Sequence, residues 1–125
     1  MNKLTAYELI DIGASMYGNA ATMYAIFLTI LSGYLIVAYA VGAKLTSLQV
    51  TIVNILYIVT ALTTLAALGS FNQAAMEFSL IAAEVRGTEV SLASYFPSHF
   101  LVGIDVLLVL GSLKFMWDVR PPGAE

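Results

Sequence analysis

Between Asp11 and Lys44 the chain runs for 32 residues without a formal charge, and between Lys44 and Glu77 for another 32. A helix needs about 20 predominantly apolar residues to cross the hydrocarbon core of a bilayer. Each run is long enough to do so, and a 125-residue chain has too small an interior to hide both from water. Only 10% of the residues are Asp, Glu, Lys or Arg, against about 25% in soluble domains. The expected fold class is therefore an all-α integral membrane protein, built as a single membrane domain.

The first span is expected over residues 20–43 and the second over 48–71. The segment "KLTS" between them allows only a tight antiparallel hairpin. Ahead of the first span, residues 4–18 read as a separate amphipathic helix. There Thr5 and Glu8 have capping-box spacing, and Gly13 and Gly18 are placed to bend the chain as it enters the bilayer. After the second span the helical period persists over 72–86, with Phe71, Ala75, Phe78, Ala82 and Val85 on one face. This extension either continues the second helix or forms a surface helix of its own. Residues 87–98 read as a loop, 99–117 as the third span and 118–125 as a frayed tail.

Three spans place the termini on opposite sides. Lys44, Lys114 and Arg120 lie with Asp118 and Glu125 on the hairpin and C-terminal side, and Lys3 and Arg86 lie among five acids on the other. Basic residues flanking spans favour the cytoplasm. The expectation is a bacterial inner membrane protein with its N-terminus outside and its C-terminus inside.

Hydrophobicity inserts such helices, but small residues and interhelical hydrogen bonds join them. Thr22, Ala25, Thr29, Ser32, Ile36 and Tyr39 form a candidate seam on the first span, with Ala38 and Gly42 as a small-residue pair on another face. The second span has Gln49, Thr60, Thr63, Ala67 and Ser70 on one stripe, and Asn54, Tyr57, Ala61 and Thr64 beside it. On the third, Ser98, Asp105 and Ser112 recur every seven residues and share a face. Tyr34, Tyr39 and Tyr57 are expected to be buried with bonded hydroxyls.

Asp105 stands apart. In "LVGIDVLLVL" it is the one charged residue, about 5 Å from the middle of the third span at 1.5 Å per residue. An Asp at mid-span costs about 2.5–3.5 kcal/mol on insertion scales. Thr60, Thr63, Thr64, Thr29 and Tyr24 lie in the same half of the bilayer as possible partners, and no cation does. A buried Asp105 is therefore expected in its neutral form. It can fix helix register, pair with a cation from another subunit, or serve a proton or cation path. His99, six residues earlier, falls on a different face and is expected at the interface, where it can titrate.

With one histidine and no cysteine, a multi-histidine or thiolate metal site within the chain is excluded. Five basic residues and a net charge of −3 argue against nucleic acid. No catalytic constellation or phosphate loop is visible, so neither an enzymatic activity nor a cofactor is expected, and no motif identifies a family. The expected function is association. The chain would act as a homo-oligomer or as the small subunit of a larger membrane complex, with Glu77, Glu84, Arg86 and Glu89 as a docking face. The alternative is a homo-oligomeric channel or proton-linked conductor using Asp105 and the Thr-lined faces.

Overall fold

The computed structural model describes residues 4–88 and 98–121, with Ser98 and His99 described as backbone only. Glu89, most of the expected 87–98 loop, the His99 side chain and residues 122–125 of the expected tail lie outside the described residues. Every described element is helical: α1 (Ala6–Val41), a short 3-10 turn (Gly42–Lys44), α2 (Ser47–Arg86) and α3 (Ser98–Asp118). All three long helices are apolar enough to cross a membrane.

Both helices of the hairpin begin with a capping box. Thr5 Oγ1 accepts the Glu8 N–H at 3.3 Å while the Glu8 carboxylate accepts the Thr5 N–H at 2.7 Å. These bonds favour the ionised acid and hold the Glu8 carboxyl below the usual range. At the start of α2, Thr46 and Gln49 repeat the exchange, at 3.3 Å and 2.9 Å. The far end of α2 closes on Gly87, whose φ of 67° is open to glycine at little cost. Its N–H bonds the Glu84 carbonyl and the Thr88 N–H bonds that of Ala83, which satisfies two of the last free carbonyls.

The expected separate N-terminal helix does not appear: residues 6–41 form one unbroken helix. Of the two readings of residues 72–86, the continuation of the second helix is the one observed. No proline lies in either, and helical hydrogen bonds are indifferent to whether water or lipid surrounds them. Gly13 is no hinge. A Cβ there would sit 3.5–3.6 Å from Ser79, Ala75 and Phe78, so the glycine lets α1 lie close on α2.

The α1–α2 seam has a seven-residue repeat. Gly13, Ala20, Phe27 and Tyr34 are buried on α1, with Leu31 and Ala38 between and beyond. On α2 the buried set is Val50, Tyr57 and Thr64, with Ala61, Leu68, Ala75 and Ala82. That period is the signature of a left-handed, coiled-coil-like pairing, with small residues at the end away from the turn (Gly13, Ala20, Ala75, Ala82) and aromatic ones nearer it (Phe27, Tyr34, Tyr57). The third helix lays Asp105, Ser112 and Met116 against this pair.

At 1.5 Å per residue, α3 with 21 residues is about 31 Å long, close to a hydrocarbon core of about 30 Å. The 36 residues of α1 and 40 of α2 reach about 54 and 60 Å. The hairpin therefore outruns α3 at the end away from the turn. Residues 6–19 and 72–86 form a two-helix stalk there, in which Leu9 and Gly13 face Ala75 and Ala82.

Candidate functional site

Two turns of α3 separate the polar groups of the core. At the lower level, towards the hairpin, Tyr34 donates to Asn54 Oδ1 at 2.6 Å, and its ring stacks on Tyr57 with centroids 3.9 Å apart. The Tyr57 and Ser112 hydroxyls meet at 2.8 Å. Ser112 donates to the Val109 carbonyl at 2.7 Å, so the proton between the two hydroxyls comes from Tyr57. Side chains of all three helices thus form one cluster. Tyr34 and Tyr57 are buried and bonded as expected from the sequence, whereas Tyr39 is 82% exposed.

Asp105 lies about 10.5 Å from Ser112 along α3, by the helical rise. Thr64 lies the same distance from Tyr57 along the antiparallel α2, so the two residues share a level. Asp105 is 1% exposed and neither carboxyl oxygen has a hydrogen-bond partner. The partners expected from the sequence are otherwise engaged. Thr29 bonds the Ala25 carbonyl, Thr60 that of Leu56, Thr63 that of Val59 and Thr64 that of Thr60, all on their own helices. Of these four only Thr64 is buried with Asp105; Thr29, Thr60 and Thr63 face outward, and Tyr24 is half-buried against Phe27. Thr64 has committed its one proton, yet its oxygen retains lone pairs that can accept from a neutral carboxyl.

The expected α1 seam is also displaced. Thr22, Ala25, Thr29 and Ser32 point outward, while the other small-residue pair, Ala38 and Gly42, is buried. A Cβ on Gly42 would come within 2.9 Å of Val119 and 3.4 Å of Met116, so this glycine admits the end of α3. Arg120 donates to Ser47 Oγ at 3.1 Å and fastens the same end to α2. Lys114 and Asp118 form an exposed ion pair one turn apart on α3.

On the stalk, Glu77, Glu84 and Arg86 are exposed. Beside Arg86 a shallow cavity of about 290 Å³ opens between Ile10, Ala14 and Tyr17 of α1 and Ser79 and Ala83 of α2. No cluster of three metal-ligating side chains exists among the described residues. Sequence reasoning missed the Tyr34–Asn54 bond and the second capping box. The latter was visible as Thr46-x-x-Gln49.

The architecture is an all-helical bundle with three helices long and apolar enough to span a membrane. The sequence matches no family model, and comparison with curated proteins and with solved structures finds no similar chain.

Proposed function

We propose that this chain crosses a bacterial inner membrane three times and acts by association, as a homo-oligomer or as the small subunit of a larger membrane complex. The observation that carries this reading is the stalk. Two helices bury only one seam between them, and Tyr7 (77% exposed), Tyr17, Leu80 and Val85 remain bare beyond the reach of α3. We read these uncovered apolar side chains outside the bilayer as the contact surface for a protein partner. Acidic Glu8, Asp11, Glu77 and Glu84 flank it and suit it to a partner rather than to an anionic lipid surface. The outward stripe of Thr22, Ala25, Thr29 and Ser32 offers small residues to a neighbouring helix within the membrane.

Lys44, Lys114 and Arg120 at the opposite end favour a cytoplasmic hairpin and C-terminus, with the stalk outside. Reading the chain as a channel or proton-linked conductor has less support. Asp105 is closed off from every outer face, and Thr29, Thr60 and Thr63 bond back to their own helices.

Association is tested in native membranes with a photo-crosslinker at Tyr7 or Tyr17, followed by the particle mass in lipid nanodiscs. The expected result is an adduct from both stalk positions and a mass above that of one chain. Tyr7→Glu with Tyr17→Glu should weaken the assembly by roughly 2 kcal/mol or more, as loss of interface tyrosines does. A monomeric mass with no adduct from either position contradicts the reading.

A further inference from the structure

We infer that the protein carries a site for one anionic phospholipid, in the groove between α1 and α3 on the hairpin side of the membrane. This rests on the membrane placement proposed above but not on association.

The groove is open along its outer side and offers about 620 Å³, within the range of about 300–1,000 Å³ that small-molecule sites occupy. Its walls are Leu31, Ile36 and Tyr39 of α1 and Leu107, Gly111 and Phe115 of α3. Its length points to the occupant. From Leu31 to Ala40 along α1 is about 14 Å, and from Leu107 to Phe115 along α3 about 12 Å, by the helical rise. Both are close to one leaflet, half of a hydrocarbon core about 30 Å thick. An acyl chain confined to one leaflet fits that length, and a second copy of this chain is the competing occupant that the test below separates.

The groove begins near the midpoint of α3 and ends where the bases are. Lys44 lies in the 3-10 turn, four residues after Ala40, and Lys114 precedes Phe115 on α3; both stand at that end of the groove, outside its apolar lining. Both are exposed. Among the described residues that end carries Lys44, Lys114 and Arg120 against Asp118 alone. The pairing of Lys114 with Asp118 is solvent-exposed, and such pairs are weak enough for a phosphate to compete. Apolar walls one leaflet deep that end at two lysines match a lipid with a negatively charged headgroup. Tyr39, largely exposed and part of the groove's rim, is placed at the same end to flank that headgroup.

The test is native mass spectrometry of the full chain, delipidated in detergent and titrated with phosphatidylglycerol or phosphatidylcholine. The expected result is one tightly held lipid per chain, with phosphatidylglycerol preferred by about thirtyfold, as two lysines near a headgroup supply. Lys44→Gln with Lys114→Gln should abolish the preference and keep the lipid. Gly111→Leu should abolish binding of both lipids with helicity unchanged in circular dichroism, because a Cβ at Gly111 meets nothing within 4 Å and the added side chain fills the groove. Glycerol phosphate should not displace the bound lipid. Absence of a retained lipid, equal retention by Gly111→Leu, equal affinity for the two headgroups in the unmodified chain, or displacement by glycerol phosphate each overturns the site. So does a Gly111→Leu chain that changes its oligomeric mass and not its lipid content, since a second copy then fills the groove. If the chain instead stays folded and monodisperse without detergent, the membrane placement itself fails.

Discussion

Replacing Asp105 by threonine is expected to stabilise the seating of α3 by about 1–3 kcal/mol, the penalty for a buried polar group without a partner. Both Asp105 oxygens are in that condition. Threonine is close to aspartate in size, so the site is neither emptied nor overfilled. It also satisfies itself. Thr22, Thr29, Thr51, Thr60, Thr63 and Thr64 each bond the carbonyl four residues back on their own helix. A threonine at 105 would bond that of Leu101 in the same way. Asp105→Asn, which keeps the polar end and has only the Thr64 oxygen at its level to donate to, should show no such gain. Reversible unfolding of the full chain in mixed micelles of dodecyl sulfate reads both variants. A loss of stability in Asp105→Thr would mean that the carboxyl holds a partner in the working protein, and the conductor reading would regain its ground.

At the other end of α3 the expected effect has the opposite sign. Gly42→Leu should destabilise the bundle by about 1–3 kcal/mol, the usual cost of overpacking. The first added carbon already lies 2.9 Å from Val119, and Met116 behind it is wholly buried. Val119 must turn away or the end of α3 must shift to make room, and a shift would also strain the Arg120–Ser47 bond. Gly111→Leu is the control, the same chemical change on α3 at a position with nothing within 4 Å. It should stay within about 0.5 kcal/mol of the unmodified chain in the same micelles. Equal effects at the two glycines would show that α3 does not close over the hairpin turn.

These two sites mark the limits of what the sequence shows. Three apolar helices, the hairpin at "KLTS", the Thr5–Glu8 cap and the inward face of Asp105 and Ser112 were all readable, because each depends on local spacing or on long charge-free runs. Helix ends were less readable. Charge reports where water is expected to begin and not where a helix ends, so the expected separation of residues 4–18 from the first span does not exist, and residues 72–86 follow the first of their two readings as a continuation of α2. Polarity also misdirected the choice of seam. A threonine that bonds its own helix needs no neighbour, so Thr22 and Thr29 can face outward. The true α1 seam follows the heptad of Gly13, Ala20, Phe27 and Tyr34, in which the glycine, the alanine and the phenylalanine carry no polar side-chain atom. Tyr39 is exposed because it sits off that stripe, at the rim of the α1–α3 groove. The groove needs α3 in place before it exists, and no local pattern announces it.

The most direct measurement is topological, and a chain without cysteine is suited to it. Single cysteines at Leu4, Ala43 and Ala124 can be challenged with a membrane-impermeant maleimide in sealed vesicles of both orientations. The account predicts that Leu4→Cys reacts from one side only, and that Ala43→Cys and Ala124→Cys react only from the other. Labelling of all three from the same side, or recovery of the chain in the soluble fraction, would contradict it.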